Sequence, residues 1–278
     1  MDHEEWRAGQ ESVTIQTDYH EFDVAYYVDG SGTTPTVFLH GIPTWGFLFR
    51  DVFDAAQHAI VPDLPGYGYT LHNQPGGYDR SVRAEAEYLL AFLDELGYDS
   101  VQLVGHDIGG SVALRLATLT DCVSRLVLSN APIFDTWPIE AIATLGLPKK
   151  GKNMTYKDVD STLRSLFTGG LYNQDRATET FLDGMVAPFL ERDVSDLSRN
   201  AVSTNTNHTL ELVPHHSKIT APTLLLWGVP GSGQHIGYAD QFAESVETAE
   251  KRYLSDSYHW VMQERPEAYR EALVAFLD

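Results

Sequence analysis

A chain of 278 residues is long enough for one large domain, and its 43% hydrophobic and 11% aromatic content supplies a core that a disordered chain lacks. With 19 basic against 39 acidic side chains the formal charge is −20, the wrong sign for neutralising nucleic-acid phosphates or docking on an anionic membrane. The single cysteine, Cys122, excludes an internal disulfide and a multi-thiolate metal site.

No run approaches the roughly 18 uninterrupted apolar residues of a membrane helix. The acidic start Met1-Asp2-His3-Glu4-Glu5 lacks the basic-then-apolar order of a signal peptide, so a cytoplasmic protein is expected. The carboxylates are scattered rather than gathered in a tail. That dispersal fits either a host living in high salt or an ordinary acidic enzyme.

Short apolar runs alternate with amphipathic stretches along the chain. Strands are expected at Val13 to Tyr19, Phe22 to Val28, Thr36 to Leu39, Ala59 to Val61, Val101 to Val104, Arg125 to Leu128, Thr223 to Trp227 and Lys251 to Leu254. The first two are separated by His20-Glu21 and read as an antiparallel hairpin at a sheet edge. Asp79 to Leu96 carries Val82, Leu89, Leu90, Leu93 and Leu96 at helical spacing, and Ser111 to Leu119 and Pro266 to Leu277 read the same way. Strands alternating with helices predict a mostly parallel, eight-stranded α/β sheet covered on both faces. From residue 132 to 216 no strand is expected. That region reads as a helical lid inserted after the sixth strand, over the sheet edge where ligands bind in open α/β folds. The domain division is therefore 1–131 with 217–278 as core and 132–216 as lid.

Four motifs follow strands. Phe38-Leu39-His40-Gly41-Ile42-Pro43-Thr44-Trp45 comes after the third, and Asp63-Leu64-Pro65-Gly66-Tyr67-Gly68 after the fourth. Val104-Gly105-His106-Asp107-Ile108-Gly109-Gly110 stands between a strand and a helix. That is the context of the nucleophile elbow, G-x-S-x-G, with Asp107 in the serine position. An Asp that merely caps the helix is the plain alternative, but capping does not require Gly at both 105 and 109. The helix start also offers the Ile108 backbone N–H to a developing oxyanion. The fourth motif, Ser257-Tyr258-His259-Trp260, lies between the last strand and the last helix. A histidine alone is more often structural than catalytic.

Taken together, the four motifs in this order resemble the α/β-hydrolase superfamily over nearly the whole chain outside residues 132–216. The resemblance implies Asp107 as nucleophile, His259 as base, and the N–H groups of Ile42 and Ile108 as oxyanion hole, with no cofactor and no metal. A carboxylate nucleophile displaces a leaving group at a saturated carbon to give an ester, which water activated by the histidine then hydrolyses. An Asp elbow is the mark of haloalkane dehalogenases and epoxide hydrolases within that superfamily. His40 to Trp45, with Leu48, Arg50 and Leu128-Ser129-Asn130-Ala131, looks most like the dehalogenase branch.

The chain departs from that branch at three positions. Where dehalogenases hold halide with a tryptophan beside the nucleophile, this chain has Ile108, and where many carry asparagine after His-Gly it has Ile42. The acid that orients the histidine is also absent: its position after Trp227-Gly228 is Gly231, and its other home holds Asn130. Loss of the equivalent acid in a serine triad costs about 10⁴ in turnover. Asp135 is the nearest spare carboxylate. Trp45, Trp137 and Trp260 are candidate substrate-binding residues. Epoxide hydrolysis is the alternative: His40-Gly41-Ile42-Pro43 fits its His-Gly-x-Pro pattern, and Tyr156 and Tyr172 are candidate acids. A reading of another class is a ligand-binding protein of this fold that has lost turnover. The expected partners are a small hydrophobic substrate and water, and both monomer and homodimer remain open.

Overall fold

The computed structural model describes residues 1–151, 153–231 and 233–278. A short helix α1 (His3–Ala8), capped reciprocally by Asp2 and Glu5, precedes the expected hairpin of β1 (Glu11–Gln16) and β2 (Glu21–Gly30), which pairs Ile15 with Phe22. There follow β3 (Thr36–Leu39), β4 (His58–Pro62), β5 (Leu71–His72) and the helix α2 (Val82–Glu95). Ser81 starts α2 by accepting the Ala84 N–H, and the helix buries Val82, Leu89 and Leu93 of the expected stripe together with Phe92, whereas Leu90 is exposed and Leu96, at the C-cap, is only partly buried. β6 (Val101–His106), α3 (Ile108–Leu119) and β7 (Val123–Ser129) complete the first half.

Six helices come next: α4 (Glu140–Leu145), α5 (Pro148–Gly151), α6 (Tyr156–Gly169), α7 (Glu179–Glu191), α8 (Asp196–Val202) and α9 (Asn207–Leu210). Among the described residues no strand interrupts them. The chain then returns to the sheet through β8 (Thr223–Pro230), α10 (Ile236–Ser245), β9 (Ala249–Ser257), α11 (Val261–Glu264) and α12 (Pro266–Leu277). No described helix is long and apolar enough to cross a membrane.

The strand order is β1-β2-β4-β3-β6-β7-β8-β9, with β5 off this path on β2. The eight expected strands are all present. The ninth, β5, pairs only Phe22 with His72 and Asp23 with Leu71, too short a run to show a period of two. From β4 through β9 every pairing is parallel. β3 and β4 are buried along their whole length, which is why they read as unbroken apolar runs rather than alternating ones.

Site placement follows from the topology. The chain leaves β3 toward β4 on one side and leaves β6 toward β7 on the other, so the adjacent β3 and β6 diverge at their C-terminal ends. The crevice at such a reversal is where an open α/β sheet receives its ligand.

A buried polar clamp fixes the inserted helices to the sheet. Arg80 Nη2 lies 2.8 Å from Asp196 Oδ1 on α8, and Arg80 Nη1 donates to Asn200 Oδ1 on the same helix. Asn200 donates in turn to the Gly66 carbonyl, while Arg192 Nη1 donates to the carbonyls of Tyr67, Gly68 and Thr70. The Asp63-to-Gly68 turn thus serves as an attachment point. Truncating one partner of a buried ion pair leaves the other charge uncompensated. Arg80→Met is expected to lose about 3 kcal/mol in urea unfolding, the low end of the range because Arg192 and Arg199 remain on Asp196. A loss below about 1 kcal/mol would show the clamp to be energetically idle.

Candidate active site

His40 directly follows β3, and its fully buried imidazole is wired at both nitrogens. Its Nδ1 lies 3.0 Å from the Gly41 carbonyl and its Nε2 accepts the Leu64 N–H at 2.9 Å. One nitrogen donates and the other accepts, so the ring is neutral, and burial pushes its pKa down to about 4. This link joins the Gly41-Ile42 loop to the Asp63-Leu64 turn. Asp63 supports the same region from below by accepting the N–H groups of Gly46 and Tyr69 and the amide of Gln10. The two loops that follow β3 and β4 are therefore one hydrogen-bonded unit.

Asp107 occupies the turn between β6 and α3 with φ 52° and ψ −131°, a backbone conformation that costs roughly 1–3 kcal/mol. The glycines around it allow the tight turn: a Cβ at Gly109 would land on the Leu39 and His40 carbonyls. Asp107 stands at the N-cap position, yet its side chain makes no capping bond. Instead Oδ1 accepts the Ile42 N–H at 2.8 Å, and the Ile108 N–H also acts on the carboxylate. Burial raises the Asp107 pKa to about 6, and the two N–H groups hold it back from rising further.

The second carboxylate oxygen, Oδ2, lies 3.6 Å from His259 Nε2. Burial lowers the His259 pKa to about 4. At neutral pH the pair is therefore an ionised carboxylate beside an uncharged imidazole. His259 follows β9, and its loop is tied to neighbouring elements. The His259 N–H donates to the Gly170 carbonyl just past α6, and Trp260 Nε1 donates to the Phe167 carbonyl. Glu264 accepts the N–H groups of Tyr172 and Asn173 through one oxygen and that of Tyr258 through the other.

Among the described residues no carboxylate meets the other ring nitrogen. Asp135 is exposed and makes no hydrogen bond to His259, because the turn after β7 directs it outward while Ile133 and Phe134 fill the interior. Asn130, at φ 41°, donates from Nδ2 to the Tyr258 carbonyl and accepts the Gly228 N–H on Oδ1, so it holds backbone rather than the imidazole. Gly231 has φ 81°, a conformation that an aspartate there would adopt only with strain.

A cavity of about 840 Å³ opens above Asp107. Ile42, Asp107, Ile108, Trp137, His259 and Trp260 from the expected set all line it. The other expected residues lie elsewhere. Trp45 is in the core, stacked on Phe47, with its indole N–H on the Gly184 carbonyl. Tyr156 is half-exposed and donates to the Arg192 carbonyl. Tyr172 is half-exposed and packs edge-on against Tyr258. The indoles that do face the cavity have satisfied N–H groups, Trp137 on Thr209 Oγ1 and Trp260 on Phe167.

Unforeseen in the sequence are the hydroxyls of Ser161, Thr162, Ser165 and Thr204 and the amide of Gln234, which also line the cavity. Along α6 they alternate with buried Val159, Leu163 and Phe167, and such a pattern is indistinguishable from a solvated helix face when read without coordinates. Among the described residues no cluster of three or more His, Cys, Asp or Glu side chains has the arrangement of a metal site.

Comparison with known proteins agrees with this geometry. Residues 36–272 match the family model described as the alpha/beta hydrolase family. Haloalkane dehalogenase 2 of Mycobacterium bovis is 33% identical over 122 residues, covering 42% of this chain and only 41% of that relative's length. The soluble epoxide hydrolase of Corynebacterium sp. is 28% identical over 276 residues, covering 90% of this chain and 92% of the relative. Among solved structures, the epoxide hydrolase CorEH, determined without ligand, superimposes with a TM-score of 0.80 at 24% identity, covering 96% of this chain and 98% of that one. The elbow, the paired loops and the reversal between β3 and β6 thus carry the same conclusion as the comparisons: the chain belongs to the alpha/beta hydrolase family.

Proposed function

We propose that the protein is a hydrolase that acts at a saturated carbon through an ester formed on Asp107, with residues 132–216 serving as a lid over a small, largely apolar substrate. One observation carries this reading. A single buried carboxylate has one oxygen on the Ile42 N–H and the other beside an uncharged imidazole, with the Ile108 N–H also acting on the carboxylate, and Asp107 and His259 both line the cavity.

The chemistry divides between the two oxygens. Oδ2 attacks the substrate carbon, forming a C–O bond as the bond to the leaving group breaks and its electron pair departs. Oδ1, already on the Ile42 N–H, becomes the ester carbonyl oxygen, with the Ile108 N–H as the second donor to the group. His259 Nε2 then takes a proton from water as the hydroxide adds to the Asp107 carboxyl carbon. The charge that develops on Oδ1 is met by donors already in place, so little reorganisation is required. Collapse of this intermediate expels an alkoxide that takes the proton from His259 and leaves as the alcohol, and the Asp107 carboxyl releases the second proton of the water to solvent, which regenerates the carboxylate; for an epoxide that release balances the proton taken up by the opened ring oxygen.

An epoxide is the favoured substrate class. The indole N–H groups of Trp45, Trp137 and Trp260 are bonded to protein acceptors, so none of the three is free to hold a departing halide. In an epoxide, strain in the three-membered ring assists departure and the leaving oxygen remains attached, in a cavity that hydroxyls of α6 also line. One relative matched along most of its length is named an epoxide hydrolase. Haloalkane hydrolysis is the second reading, supported by the 33% identity to a named dehalogenase over part of the chain.

Intact-protein mass spectrometry with small panels of epoxides and haloalkanes tests both readings. His259→Gln is expected to accumulate an adduct of substrate mass, less a leaving halide where there is one, while Asp107→Ala accumulates none and wild type turns over. An adduct that also persists on wild type would place the protein with ligand-binding relatives that trap rather than release. The absence of any adduct across both panels counts against the aspartyl-ester reading.

The acid limb of the first step belongs to Asp107, because His259 is already neutral above about pH 4. Burial has moved the carboxylate to about 6, so the nucleophilic form fills as pH rises through that value. The single-turnover rate of ester formation in His259→Gln is therefore expected to rise about tenfold per pH unit below 6 and to level off above 7. A midpoint near the ordinary carboxylate value would contradict the burial argument.

A further inference from the structure

The imidazole of His259 has no acid behind it, but it does have a neighbour. Its Nδ1 is buried without a hydrogen-bond partner among the described residues. The ring packed against it belongs to His106, with centroids 4.7 Å apart and planes at 48°. His106 is fully buried, and its Nε2 is likewise without a partner among the described residues. Its other nitrogen, Nδ1, lies 3.4 Å from Ser129 Oγ at the end of β7.

Two orphaned nitrogens on touching rings require explanation, since each buried unsatisfied group costs about 1–3 kcal/mol. A neutral imidazole carries one N–H and one lone pair, so two of them are complementary. With the His106 proton on Nδ1, directed at Ser129, its Nε2 is an acceptor. With the His259 proton on Nδ1, that nitrogen is a donor, and Nε2 keeps the lone pair that faces Asp107 and any attacking water.

We propose that His106 is the positioning residue for His259, its Nε2 accepting the Nδ1–H of the base, through a small ring rotation or one bridging water, in the role that a carboxylate fills in a triad. The proposal rests on His259 acting as the base, but its central test does not require turnover. A neutral acceptor selects the tautomer and fixes the ring, as an acid does, without offering a charge to stabilise the imidazolium.

The test is the tautomer of His259 in the free protein, read from long-range ¹⁵N–¹H correlation spectra of histidine-labelled wild type, with the signals assigned by their loss in His259→Gln. Wild type is expected to show the Nδ1–H form. His106→Phe keeps a ring in the stack but removes the acceptor, and is expected to shift His259 to a mixture of both forms. His106→Gln, whose side-chain carbonyl can accept, restores the Nδ1–H form. An Nε2–H tautomer in wild type overturns the proposal without any variant, and so does an unchanged Nδ1–H signal in His106→Phe. With an epoxide that gives the adduct, ester hydrolysis in His106→Phe should slow at least tenfold while ester formation changes less than twofold. Equal slowing of both steps would mark His106 as merely structural. Failure to form any adduct would defeat the aspartyl-ester reading and leave the tautomer result standing.

Discussion

The hydrogen bond from the Ile42 N–H to Asp107 Oδ1 spans 65 residues of chain, and the architecture of the site depends on it. A carboxylate this deeply buried is held ionised only by donors that are themselves fixed, and a backbone N–H is fixed only if its loop is. That requirement reaches outward in successive layers. Ile42 is held by the His40 link to Leu64, the Leu64 turn by Asp63, and Asp63 by Gly46, Tyr69 and Gln10. The adjacency of β3 and β6 brings the two ends of the bond together, and the left-handed backbone of Asp107 turns its carboxylate toward the donor.

The same burial sets the protonation states. Removing water raises Asp107 and lowers His259, so the two groups are driven in the directions that leave one charged and the other neutral near pH 7. An acid behind His259 would raise its pKa, and none is in place among the described residues. The environment therefore keeps the His259 lone pair free of a proton near pH 7 but makes it a weak base with a poorly supported imidazolium.

Much of this was legible without coordinates because glycine and proline punctuation marks loops as reliably as apolar runs mark strands. All eight expected strands form, and Ile42, Asp107, Ile108 and His259 converge because three separate turns follow parallel strands that end on the same edge. What escaped has physical causes. The two-residue β5 is shorter than the period that would betray it. The hydroxyls of α6 look like a solvated face, since only tertiary packing decides whether a polar stripe meets water or a cavity. Trp45 and Tyr156 carry the right chemistry for a pocket, but their polar atoms are spent on the carbonyls of Gly184 and Arg192. His106 stood in full view beside the nucleophile, and only ring geometry separates a buried spacer from a partner.

The ties between the histidine loop and the inserted helices have a consequence for traffic. His259 N–H, the Trp260 indole and both oxygens of Glu264 bind the segment around Phe167 to Asn173 to the turn after β9. Displacement of that segment would drag the imidazole out of register with Asp107. The opposite wall, formed by Trp137 to Leu145 and Lys150, has no such tether to the imidazole among the described residues. Displacement of Ile139, Glu140 or Thr144 on that wall would leave the ties that hold the His259 loop intact.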